Sequence, residues 1–218
     1  MDQIIESEMA FGPYPAGHGF RVEDSAPHKA AGEGVKMIEF YKLDLPPGRP
    51  PRLWLVEAKE TAPMVDLAKF RKSVEMLEKK GGAEFQEHAA VFAAVVEFVR
   101  NQGPTLFPRL PSDVDIYFSG ICDKMNNALH LFFATRAGRH PNEENAWPET
   151  FRNVELGPLQ LRILLVVKTA EPRWLPDLKA KLQKAMRPAI GTWALGPEAI
   201  VVLNEDGARQ KGFINPPE

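Results

Sequence analysis

The chain has 218 residues, of which 44% are hydrophobic and 26% charged, with a formal net charge of −2. That is an ordinary globular balance, enough to build a substantial core in one domain. It provides no overall pull toward nucleic acid, so any such binding must come from a local basic face.

The single cysteine, Cys122, excludes an intrachain disulfide and fits a reducing compartment. The opening stretch MDQIIESEMAF is acidic and has no basic segment followed by an apolar run, so it does not read as a secretion signal. No apolar run approaches the roughly 18–20 residues that a membrane span needs. The expectation is a soluble, cytoplasmic protein with no membrane partner.

In chain order, residues 1–10 read as one or two helical turns carrying Glu6 and Glu8. FGPYPAGHG (11–19) reads as a loop, FRVEDS (20–25) as a short strand, and APHKAAGEG as a second break. VKMIEFYKLDL (35–45) and RLWLVEAKE (52–60) have strand composition, and PPGRPP between them reads as the turn of a hairpin. From about Ala62 the period changes: Phe70, Val74 and Leu77 predict one helix, and Phe85, Ala89, Phe92, Val96 and Val99 a second. Residues 103–112 are a proline-rich loop. VDIYFSGIC (114–122) has strand composition, KMNNALHLFFATRAG (124–138) reads as a helix, and 138–158 as a long polar loop. LQLRILLVVKT (159–169) is a buried strand, RWLPDLKAKLQKAMRPAI (173–190) an amphipathic helix that breaks near Pro188, and AIVVLN (199–204) a short strand. EDGARQKGFI closes with a helical turn. This order predicts one α/β domain over 1–218 with a mixed central sheet flanked by helices, its core at roughly 20–122 and 159–204.

The hairpin carries the chemistry. Glu57 and Lys59 are two apart on one strand, so they share a face. Folding the hairpin near Gly48 sets Glu57 opposite Phe40 or Glu39. With Glu39 beside Glu57, two carboxylates and an ammonium form one cluster. Paired carboxylates resist ionising together unless a cation sits between them. Mg²⁺ is held by one or two carboxylates plus water and phosphate, and it activates water for attack at phosphorus. The bland alternative is a cross-strand salt bridge at a sheet edge, which contributes little.

GVKMIEFYKL…RLWLVEAKET resembles the PD-(D/E)XK superfamily of restriction-endonuclease-like nucleases. In that pattern an acid on one core strand precedes (D/E)-x-K on the next. Glu57-Ala58-Lys59 matches the second element and Glu39 the first, with Glu standing where Asp is usual. The resemblance spans residues 35–61. It implies a restriction-endonuclease-like fold and a Mg²⁺- or Mn²⁺-dependent nuclease acting on DNA, in genome defence or DNA processing. It also implies metal ligation by Glu39, Glu57 and the Ala58 carbonyl, catalysis by these carboxylates with Lys59, and a further carboxylate from the first helix, here Glu6 or Glu8.

Lys69, Arg71 and Lys72, just after the motif, are the candidate nucleic-acid contacts; a second basic run is Lys179, Lys181, Lys184 and Arg187. The alternative function is a catalytically inactive relative serving as a nucleic-acid-binding or protein-interaction module. A homodimer or a larger protein complex stays open. The scattered histidines have no metal spacing, and no Walker-type glycine loop exists to support nucleotide hydrolysis.

Overall fold

The computed structural model describes residues 1–23, 25–32, 34–62, 113–140 and 146–215. The chain divides into two compact units, one of residues 1–61 with 118–218 and one of residues 62–117. Of the second unit only Ala62 and residues 113–117 are described. The helices expected around Phe70–Leu77 and Phe85–Val99, the proline-rich loop after them, and the basic residues Lys69, Arg71 and Lys72 lie outside the described residues.

The first unit is mixed α/β. Its chain order is β1 (Asp2–Glu6), β2 (Met9–Tyr14), β3 (Gly19–Arg21), α1 (Ala26–Ala31), β4 (Phe40–Asp44) and β5 (Arg52–Lys59). Helix α2 (Asp113–Arg136) follows, crossing from the second unit into the first, and then α3 (Glu149–Asn153) and β6 (Gln160–Val167). The chain closes with α4 (Leu175–Ala185), α5 (Arg187–Thr192), β7 (Ile200–Leu203) and α6 (Glu205–Gln210).

A five-stranded sheet runs in the order β3-β4-β5-β6-β7. The first three strands form an antiparallel meander, and β6 and β7 then add parallel to β5. The short return between β4 and β5 is why that pair is antiparallel, and the long crossover from β5 to β6 is what a parallel neighbour requires. Gly48 takes φ +65° inside the hairpin connection, a conformation that a side chain would strain.

Strand alternation divides the core between the two faces of the sheet. Phe40, Val56, Ala58, Leu164, Val166 and Leu203 face one side, where Ile4, Met9, Phe11 and Tyr14 of the β1–β2 ribbon and Ala208 and Phe213 cover them. Tyr41 and Leu55 face the other side with α2: the Tyr41 hydroxyl donates to the Ala128 carbonyl at 2.6 Å and its ring lies 5.9 Å from Phe132.

Four local expectations are corrected. Residues 1–10 are not helical: β1 and β2 pair antiparallel, turning through Ser7 and Glu8 at φ +49° and +58°. Two consecutive left-handed residues match the right-handed twist of a two-residue hairpin, a role in which Asn-Gly would have been recognisable and Ser-Glu is not. Residues 114–122 are helix rather than strand. Their aromatic and branched side chains suit either state, but Phe118, Ile121, Cys122, Met125, Ala128, Leu129 and Phe132 are all buried, at helical spacing. In the segment 138–158, α3 interrupts the loop, and both Trp147 and Phe151 are fully buried. Trp147 packs 4.6 Å from the Phe20 ring and 5.6 Å from Tyr41, and Phe151 6.3 Å from Tyr41. APHKAAG also contains α1, capped by the Ser25 side chain on the His28 N–H.

Because Phe151 closes the aromatic cluster over Tyr41, Phe151→Ala should destabilise the fold by about 3–5 kcal/mol. Urea unfolding measures this. A loss comparable to that of an exposed substitution would mean that residues 146–153 are not part of the core.

Candidate active site

The site lies at the end of the β4–β5 pair. Phe40 is opposite Val56, so one further step along the antiparallel pair sets Glu39, just before β4, across from Glu57. Cross-strand partners share a face, and both carboxylates point to the α2 side with Lys59. The recorded pairing sets Phe40 against Val56, and Glu39 and Glu57 meet just past the end of that ladder.

Glu57 has no exposed side-chain surface, and Glu39 is almost as deeply buried. Lys59 Nζ is 2.6 Å from Glu57 Oε1 and 3.8 Å from Glu39 Oε1. A second ammonium completes the cluster: Lys124 Nζ, from α2, is 2.9 Å from the same Glu57 oxygen and 3.4 Å from Glu39 Oε1. The two cations thus crowd onto one oxygen of Glu57, and among the described residues neither of its two buried oxygens has a well-aligned hydrogen-bond partner.

Lys124 was not among the residues singled out from the sequence. Its signal was present: Ile121 and Ala128, one turn away on either side, are buried, so Lys124 sits on the inward stripe of the helix. Reading 114–122 as a strand broke that stripe and hid it.

Of the two N-terminal carboxylates, Glu6 reaches the cluster and Glu8 does not. Glu6 lies close enough to Glu39 to feel its charge and pairs with Arg21 at 2.6 Å. It comes from the end of a strand rather than from a helix. Glu8 sits exposed at the hairpin tip and pairs with Lys168 at 2.7 Å. The Ala58 carbonyl also faces the cluster edge. Lys168 N donates to the Lys59 carbonyl, so β5 presents Lys59 O toward β6, and alternation turns Ala58 O to the β4 side, just beyond the start of β4. In the second basic run Lys181, Lys184 and Arg187 are exposed, as in an ordinary solvated helix face. Cys122 is buried, and burial followed by the neighbouring Asp123 charge pushes its thiol up to about 11, as for an inert core residue.

Burial sets the electrostatics. It raises the Glu57 pKa, against the pull of Lys59 and then Lys124. Glu6 is raised by burial and then by the charge of Glu39. For Lys124, burial acts to lower the pKa, but Glu57 and then Glu39 outweigh it and the ammonium is held charged.

Among the described residues no three His, Cys, Asp or Glu side chains form a ready-made metal cage. The donors present do fit a hard divalent cation of the kind bound by one or two carboxylates, water and a substrate phosphate. They are carboxylate oxygens of Glu6, Glu39 and Glu57, and among the described residues the two buried Glu57 oxygens have no well-aligned hydrogen-bond partner. No described helix is long and apolar enough to cross a membrane. Comparisons with protein-family models, with curated proteins and with solved structures found no match.

The raised carboxyl groups make stability fall with pH. Native Glu57 and Glu6 hold protons more readily than in the unfolded chain, so the stability these two groups contribute is fully present below the ordinary carboxylate value of 4.5. It is lost as pH rises from there through the raised native values. Glu57→Gln removes one of these groups, and its urea-unfolding free energy should change less with pH over this range than that of the wild type. An unchanged slope would show that Glu57 titrates normally.

Proposed function

We propose that the chain is a divalent-metal-dependent nuclease that hydrolyses phosphodiester bonds in DNA. The observation that carries this reading is the meeting of Glu39, Glu57 and Lys59 at the end of the β4–β5 pair, where among the described residues the buried Glu57 oxygens have no well-aligned hydrogen-bond partner. The antiparallel meander of β3, β4 and β5, followed by a helix-containing crossover to a parallel β6, is in keeping with the restriction-endonuclease-like core that the sequence motif suggests.

In this reading Glu39, Glu57 and the Ala58 carbonyl hold Mg²⁺ or Mn²⁺. The ion supplies an acidified water and stabilises charge on the transferring phosphoryl group. The chain's own residues do the rest. Glu6 adds a further carboxylate beside Glu39, and Arg21 holds Glu6. Lys59, partly exposed beside both carboxylates, orients the attacking water and offsets negative charge that builds in the transition state. The raised pKa of Glu57 means that a cation is needed to favour its ionised form, which a divalent ion provides.

A second reading has one observation in its favour. Lys59 and Lys124 together neutralise both carboxylates without any metal, as in a catalytically inactive nuclease-like module that binds nucleic acid or protein.

Cleavage of supercoiled plasmid and of single-stranded DNA with Mg²⁺ or Mn²⁺ separates the two. The wild type should cleave only with the metal, and Glu57→Gln and Lys59→Ala should each lose about 10²-fold or more in rate. Metal-independent cleavage, or equal rates in wild type and Glu57→Gln, would overturn the catalytic assignment. No cleavage together with retained DNA binding would favour the inactive module.

A further inference from the structure

We propose that Lys124 is a second functional lysine, which holds the place of the divalent ion at Glu57 in the metal-free protein and turns to a phosphate oxygen of the substrate when the ion binds. This rests on the reading of Glu39 and Glu57 as metal ligands.

Four observations carry it. First, Lys124 stands on the inward stripe of α2, between buried Ile121 and Ala128, where an apolar side chain would pack at no electrostatic cost. Its ammonium lies instead between two carboxylates, 2.9 Å from Glu57 Oε1 and 3.4 Å from Glu39 Oε1.

Second, its ammonium duplicates a contact already made. Lys59 is 2.6 Å from Glu57 Oε1, and Lys124 is 2.9 Å from the same atom. Two like charges converge on one carboxylate oxygen, although one ammonium is enough to neutralise Glu57. If Lys124 leaves, Lys59 still keeps the buried carboxylate paired.

Third, the two lysines differ in attachment. Lys59 is on the same strand as Glu57, two residues away, and both belong to the sheet. Lys124 comes from a helix on the neighbouring layer and keeps a partly exposed side chain, with 18% of its surface accessible. It can withdraw its ammonium without moving a metal ligand.

Fourth, the site needs cations beyond the ion. A phosphodiester brings its own negative charge to a pocket that already holds Glu6, Glu39 and Glu57. A lysine freed from Glu57 supplies a point charge for a non-bridging phosphate oxygen.

The test is calorimetric titration of Mn²⁺ into the full chain, as wild type, Lys124→Met and Lys124→Arg. Methionine keeps the length and suits a helix face, and arginine keeps the charge. Removing a competing cation should tighten Mn²⁺ binding by about tenfold or more, the low end of what one neighbouring charge does to a carboxylate's proton affinity. Lys124→Arg should bind Mn²⁺ as the wild type does. In parallel, Lys124→Met should weaken binding of a short DNA duplex measured with Ca²⁺ in place of Mn²⁺.

The sign separates this role from a structural one, because loss of a structural contact loosens the site and weakens metal binding. Mn²⁺ binding by Lys124→Met alone, or tighter than wild type, supports the proposal. Equal or weaker binding by Lys124→Met, with saturable binding by the wild type, overturns it and leaves the nuclease reading standing. No Mn²⁺ binding by either protein removes the metal site and both readings with it.

Discussion

A buried carboxylate must find a cation, and Glu57 is the point on which the arrangement of this unit turns. It lies on the central strand of the sheet with no exposed surface, in a place that otherwise suits a branched apolar residue. Taking such a charge out of water costs several kcal/mol unless partners compensate. Two elements supply them: β5 brings Lys59 and α2 brings Lys124, while the segment before β4 adds the like charge of Glu39, which the same lysines pair. The β1–β2 ribbon adds Glu6, and β3 adds Arg21 behind it. The resulting cluster alternates negative and positive groups, yet among the described residues the Glu57 oxygens have no well-aligned hydrogen-bond partner.

The surrounding packing makes that cluster rigid. Beside Glu57 on β5, Val56 and Ala58 are locked into the core with Phe40 and the β1–β2 ribbon. On the opposite face Tyr41 binds the backbone of α2 at Ala128, one helical turn beyond Lys124. The aromatic cluster of Phe20, Tyr41, Phe132, Trp147 and Phe151 then fixes α2 against the sheet. A site built on a central strand and a buttressed helix holds its side chains more closely than one built on loops.

How much of this was legible depended on whether local pattern and tertiary role agreed. The β4–β5 hairpin was, because its strands alternate cleanly and the proline-rich connection permits one turn. Its register was legible to within one residue, enough to bring Glu39 to Glu57. The β6 and β7 strands and the helices after β6 were read from apolar runs and helical spacing. The N-terminal ribbon was not, because its tight turn is made by Ser7 and Glu8, residues that seldom adopt positive φ. Lys124 was missed for a different reason. VDIYFSGIC is rich in side chains that favour strands, and only its continuation through Met125, Ala128 and Phe132 reveals the helical period. Trp147 and Phe151 were obscured by the polar, proline-punctuated segment around them, since burial there comes from tertiary contact rather than local pattern.

The most direct test of the central claim, that the end of the β4–β5 pair is a metal site, is a crystal structure with Mn²⁺ and its anomalous difference map. The account predicts a peak within coordination distance of Glu57 Oε2, Glu39 and the Ala58 carbonyl, with Lys124 Nζ moved off Glu57 Oε1. A map without a peak there at saturating Mn²⁺, with both ammonium groups still on Glu57 Oε1, would contradict it and leave Glu57 as a carboxylate neutralised by two lysines.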